Sequence, residues 1–291
     1  MPAFAGMTQP GETMGFFSRL GFGWRLGTTS LGVVTRDKTL MLFPVLSGIS
    51  GLLLVAAFAL GIGPEQLAAV AKQADQSGQV PPLYYALAFT LYFALSFVAV
   101  YFNVALLGAA QQSIAGKDTT LGDGLRVANQ HLGKIAGWAL LSGTVGLLLN
   151  MLESNQKIGS IVRSILGTAW AVITYFVVPV MIFENQAPTA AIGRSVSLMK
   201  ATWGENAGAQ FGIGIVSFVL LLVIGLVCVA GSVLIPPASI VLVPLLVISI
   251  PAVILLSMAA KAVLAVGLYE FATSKGSKGA FKPEELRSAF R

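Results

Sequence analysis

Charge is scarce in this sequence: Asp, Glu, Lys and Arg together make up 10% of its 291 residues. Soluble domains carry about 25%, so the chain lacks the groups needed to cover a water-facing surface. Cysteine and histidine are almost missing too. The single Cys228 excludes an internal disulfide and any cysteine-rich metal centre. The single His131 excludes a two-histidine metal site. None of the twelve acids falls at the centre of an apolar run, so a paired-carboxylate protease mechanism has no components. There is no Walker lysine motif and no metalloprotease helix. "GFGWRLG" (21–27) is no nucleotide loop, because no strand precedes it and its glycine spacing is wrong. A serine–histidine site would have to use His131, with no nucleophile elbow nearby. Neither a metal nor a cofactor is expected, and no enzymatic activity.

What the chain has instead is apolar length. Hydrophobic residues reach 56%, the mean hydropathy is +0.83, and the apolar residues gather into runs near the ~20 needed to cross a hydrocarbon core. The runs are continuous, whereas a transmembrane β-barrel requires alternation. Backbone groups in lipid must be bonded within their own segment, so each run is helical. The fold class is therefore all-α, a polytopic membrane helix bundle. Six spans are expected near Thr39–Gly61, Leu83–Leu107, Ile135–Leu152, Ile161–Phe183, Gln210–Leu234 and Ser239–Lys261. Residues 14–272 read as one membrane domain and 273–291 as a basic cytoplasmic tail. Residues 1–13 have neither the basic region nor the apolar core of a secretory signal. Met14 opens "MGFFSRLGFGW" like a natural start, so those thirteen residues are expected to be a mis-assigned extension or a disordered tail.

The net charge of +6 does not point to nucleic acid, because basic residues gather on the cytoplasmic loops of membrane proteins. With six spans, fourteen Lys and Arg fall on the side of both termini and three (Lys72, Lys157 and Arg163) on the other, with Lys261 at a boundary. Both termini are expected in the cytoplasm.

The connections on that side carry their own helical pattern. Ile192, Val196, Met199 and Trp203 form one apolar stripe. Leu121, Leu125, Ala128, Leu132 and Ile135 form another, with Asp123, Arg126, Gln130 and Lys134 opposite at pairing distance. Phe17, Leu20, Trp24 and Leu31 give a weaker third. Each stripe precedes a pair of spans, so the chain reads as three units of amphipathic interfacial helix plus hairpin.

Several polar residues ask for a role. Pro179 can kink the fourth span, Pro188 suits the first turn of the next helix, and Glu184 lies between them. One reading makes Glu184 a clamp, paired with Arg194, Lys200 or Arg126; the other makes it a carboxylate for a proton, cation or lipid amine. Lys261 lies roughly 33 Å along its helix from Ser239, where it can snorkel to lipid phosphate or act as a buried counter-ion. Asn103 can bridge helices or line a solute cavity. Pro236 and Pro237 form the turn of the last hairpin, and Pro244 and Pro251 sit within its second span, as kinks or as the break of a substrate site. Gly204, Gly208 and Gly212, and Ser47 with Gly51, have the spacing of close helix packing.

"SLGVVTRDKTLMLFPVLSGI" (30–49) and "YFVVPVMIFENQAPTAAIGRSVSLMKATWG" (175–204), with "YFNVALLGAA" and "TLGDGLRVANQHLGKIAGWALL", resemble an uncharacterised family of bacterial and archaeal integral membrane proteins, a domain of unknown function. Pro179, Glu184, Arg194 and Ser195 are more loosely similar to the membrane domain that accompanies some glycerophosphodiester phosphodiesterases; with no catalytic domain here, that activity does not carry over. The resemblance implies a six-span fold in a bacterial inner membrane. The function expected is a non-enzymatic component that organises membrane lipids, a partner membrane protein or a second copy of itself. The alternative is transport of a small or lipidic solute. Lys261, Asn103, Glu184, Arg194, Lys200 and Arg126 are the candidate lipid or solute contacts.

Overall fold

A computed structural model describes residues 27–77, 81–151 and 159–273, and among them all regular structure is helical, with no strand. Residues 27–36 form α1. They are followed by α2 (Thr39–Ile62), α3 (Pro64–Ser77), α4 (Pro82–Ile114), α5 (Leu121–Gln130), α6 (Leu132–Met151), α7 (Gly159–Ile173), α8 (Val177–Phe183), α9 (Pro188–Leu234), a 3-10 turn (Pro236–Ala238) and α10 (Ser239–Ala272). The start at Met14, the stripe residues Phe17, Leu20 and Trp24, the tail beyond Thr273 and the side chain of Trp203 lie outside the described residues.

Among the described residues six segments are long and apolar enough to cross a membrane: Thr39–Ile62, Pro82–Ile114, Leu132–Leu149, Ile161–Phe183, Gly208–Leu234 and Pro236–Glu270. By helix length and hydropathy this is a multi-pass membrane protein, with spans where the apolar runs predict them. One element goes beyond the sequence reading. α3 begins at Pro64 with Glu65 beside it, directly after Gly63 at φ 88°. A proline at the first helical position and an acid in the first turn are ordinary helix-start chemistry.

The chain divides into two compact units. One comprises residues 39–109 and 119–199. Its core gathers at the end where the short helices attach: Phe43, the run Val104–Leu107, Ala128, Ile135, Val177 and Pro179–Ile182 are buried, while Leu60, Leu83 and Leu148 at the far ends are exposed. Trp138 and Trp170 stack with centroids 6.1 Å apart, joining α6 to α7, and Tyr92 of α4 lies against Gly143 and Gly146 of α6. The other unit comprises residues 1–38, 110–118 and 200–291. Here Ser217 and Ser257 share a hydrogen bond of 2.7 Å between α9 and α10, and Gln111 donates to Glu270 at 3.4 Å. α10 stays helical through Pro244 and Pro251, so neither proline breaks the sixth span.

The three-unit reading gains support from the backbone. α5 ends at His131 (φ −120°, ψ 18°), and α9 departs from helical geometry at Thr202 (φ −123°, ψ 16°). The same conformation thus separates a short helix from its span in both units. Aligned on these two residues, Gly122, Gly133, Ala136 and Gly137 coincide with Gly193, Gly204, Ala207 and Gly208. The short helices also rest on comparable supports. A Cβ at Gly27 of α1 would come within 3.2 Å of the backbone nitrogen of Ile213 in α9. One at Gly124 of α5 would meet the carbonyl oxygen of Ala105 in α4 at 2.5 Å, beside the Phe43 ring of α2. The start of α9 rests on α7 and α8, through the contact described next.

Candidate functional site

The corner between the fourth and fifth spans holds a dense set of polar contacts. It originates with Pro179. A proline lacks its N–H and its ring collides with the carbonyl four residues back, here that of Tyr175. The helix accordingly opens at Thr174–Phe176, upstream of the proline and not at it, and restarts as α8. Opening strands a carbonyl at Ile173 and an N–H at Phe176. The Ser195 hydroxyl, fully buried on α9, engages both: it donates to Ile173 O at 2.6 Å and accepts from Phe176 N–H at 3.0 Å. Val177 N–H turns to Thr174 O at 3.0 Å. One side chain from the neighbouring helix repairs both defects.

α8 ends at Glu184, and Asn185 takes φ 57°, a left-handed conformation that asparagine tolerates better than most residues. The reversal brings Pro188 to the first position of α9. The Glu184 carboxylate then receives Arg194 Nε at 3.1 and 3.3 Å and Gln186 Nε2 at 2.9 Å. From α6, Lys134 donates to Met181 O at 3.3 Å and to Asn185 Oδ1. Four elements, α6, α7, α8 and α9, meet here through polar atoms that answer one another. Chemically this is a clamp that fixes the angle between α8 and α9.

The other predicted residues fall elsewhere. Arg126 pairs with Asp123 at 3.6 Å. Asn103 is exposed, and the polar bridge from α4 is made by Tyr101, whose hydroxyl donates to Asn129 of α5 at 2.8 Å. Lys200 and Lys261 belong to the other unit and are both exposed, Lys261 amid the buried run Ala259–Tyr269. Two stripes need correction. On α9 the buried residues are Ala191, Ser195, Leu198 and Met199, while Ile192 and Val196 are half-buried. The packed face is turned toward Ser195 because that hydroxyl must reach the open helix, which an apolar pattern does not register. On α5 the stripe stops at His131, and Leu132 is 45% exposed.

Reasoning from the sequence also missed the start of α5. Thr120 is extended (φ −112°, ψ 160°), its hydroxyl accepts from Asp123 N–H, and the Asp123 carboxylate accepts from Thr120 N–H. The signal was available as Thr-Leu-Gly-Asp, the spacing of a capping box. The Thr120 hydroxyl donates to Asp123 at 2.6 Å; that bond, the backbone bond and then Arg126 hold the carboxyl below its usual range.

No curated protein and no solved structure matches the chain. A family of unknown function, DUF6159, matches residues 82–280 and so covers every element of the corner, though not the first span or the 30–49 stretch. The chain therefore belongs to the DUF6159 family.

Proposed function

We propose that the chain is a non-enzymatic membrane component that organises lipid, or a partner protein, through the short helices at one end of its spans. The observation that carries this reading is the mutual engagement of the corner's polar groups. Glu184, Gln186 and Arg194 bond to one another, Lys134 bonds to Asn185 and Met181 O, and Ser195 bonds to backbone. Groups held in this way build a rigid shape and are poorly suited to exchange a solute. The excess of Lys and Arg on the short-helix side favours a cytoplasmic collar in a bacterial inner membrane, facing anionic headgroups. The looser likeness to the membrane domain accompanying phosphodiesterases of lipid-derived glycerol phosphates fits the same setting.

Native mass spectrometry of the full chain, released gently from its own membranes, tests this. A retained lipid or a stoichiometric partner protein is the expected result. Uptake of a solute by proteoliposomes containing only this chain would overturn it in favour of transport.

A further inference from the structure

Between α2 and α4 lies an apolar groove of about 430 Å³. On α2 its wall is made of Ser47, Gly48 and Gly51 with Leu52 and Val55 beyond them, and on α4 of Leu95, Val98 and Ala99. The small residues of α2 create the space. A Cβ at Gly48 would meet nothing within 4 Å, and one at Gly51 only the tip of Leu95, at 3.7 Å. The α2 residues that line it are half-buried (Ser47, Gly51) or exposed (Gly48, Leu52, Val55), so the groove is open along this side of the helix.

Depth and polarity identify the occupant. Ser47 and Val55, the limits of the groove on α2, lie eight and sixteen residues beyond Thr39, roughly 12 and 24 Å at 1.5 Å per residue. That range falls inside the ~30 Å hydrocarbon layer, where the medium outside the protein is acyl chain. The two helices run antiparallel, since Gly51 lies opposite Leu95 while Phe43 and Ala105 both meet Gly124. Asn103 continues the ridge Leu95–Ala99 by one turn and so stands at the Thr39 end of the groove, exposed. One turn beyond the groove toward Thr39, its amide lies nearer the headgroups than the groove does, where it can hydrogen-bond to lipid. An apolar slot with a hydrogen-bonding residue at one mouth has the polarity of an amphiphile.

We infer that this groove seats one acyl chain of a membrane phospholipid, whose ester and phosphate oxygens accept hydrogen bonds from Asn103. The inference rests on the lipid-organising reading and supplies its ligand class. Both helices belong to the unit that contains the Ser195 corner, so the bound chain reports on the spans that the short helix α5 holds together.

The test uses the full chain in vesicles containing a phosphatidylglycerol with a diazirine midway along one acyl chain, with adducts mapped by mass spectrometry. Wild-type labelling is expected to concentrate on the groove. The double variant Gly48→Leu with Gly51→Leu adds bulk to the slot from two positions whose Cβ atoms are clear of backbone. It should lower groove labelling roughly tenfold, the effect of losing about two buried methylenes, while labelling of the exposed Leu226 face of α9 stays unchanged. Asn103→Leu should shift the adducts along the groove, because the lipid's depth is no longer fixed. Labelling spread evenly over all exposed spans, or equal in the filled variant, overturns the inference. Labelling by a diazirine fatty acid but not by the phospholipid also overturns it, naming a different occupant. If gentle extraction finds lipid retained equally by wild type and filled variant, the groove is wrong and the lipid-organising reading stands. If neither retains lipid, that reading loses its lipid arm as well.

Discussion

The hydroxyl of Ser195 lies 2.6 Å from the carbonyl oxygen of Ile173, a residue of a different helix at the point where that helix breaks. The Ser195 hydroxyl oxygen also accepts the N–H of Phe176, on the far side of the break, at 3.0 Å. A membrane span interrupted within its own length leaves backbone groups that lipid cannot satisfy. Here the interruption is tolerated because a neighbouring helix carries one small hydroxyl to it. The short helix at the start of α9 is thereby tied to the span before it, and Glu184 with Arg194 ties it a second time.

Replacing Ser195 by Ala should strand the Phe176 N–H and the Ile173 carbonyl together. Leaving such groups unsatisfied costs about 1–3 kcal/mol, read as a lower midpoint in denaturant titration of the detergent-solubilised protein. The cause of the break supplies the control. With Pro179→Ala the helix can close, so the serine substitution should cost less in that background. Equal costs in both backgrounds would mean that the proline does not open the helix.

Two glycines two residues apart in α5 should behave oppositely. Gly124→Ala drives a methyl group against the Ala105 carbonyl oxygen, at 2.5 Å before relaxation, and against the Phe43 ring. Overpacking of this kind costs about 1–3 kcal/mol. Gly122→Ala meets only the Thr120 hydroxyl, at 3.6 Å, and should be neutral or stabilise by up to about 1 kcal/mol through helix propensity. Thermal unfolding of the two variants side by side checks the seating of α5 on α2 and α4.

The Glu184–Arg194 pair should contribute modestly. Arg194 is 42% exposed and Glu184 18%, so solvent screens the pair, and Glu184→Gln should lower stability by about 0.5–1 kcal/mol. The difference should shrink in high salt. A loss several times larger would mean that the carboxylate holds more of the corner than Arg194 and Gln186.

Asp123 gives the α5 cap a pH dependence of known sign. Its folded carboxyl titrates below the usual range, chiefly through the Thr120 hydroxyl, then the Thr120 N–H, with Arg126 contributing last. A carboxyl depressed by folding contributes stability that is complete above the unfolded value of about 3.9 and is lost as pH falls through the lower folded value. Asp123→Asn should therefore be less stable than wild type near neutrality. The gap should close in strong acid, as followed by circular dichroism of the two proteins across the same acid titration.

By itself, the sequence determined the membrane class, the six spans and the short helices that precede the third and fifth of them. All three follow from composition and from runs of apolar side chains, which each segment expresses without its neighbours. Pro188 at the start of α9 and Pro236–Pro237 in the last turn were legible for the same reason, since proline acts on its own backbone. Glu184 was legible as a clamp residue, but its choice of Arg194 was not, because which base comes within reach of it depends on how α8 and α9 meet. Ser195 and Gly124 were hidden because neither is apolar: one is buried for its hydrogen bonds and the other for the missing Cβ. Which face of a short helix is packed, where a span opens upstream of its proline and which carbonyl a hydroxyl reaches depend on a neighbouring helix distant in sequence, and only the tertiary structure decided them.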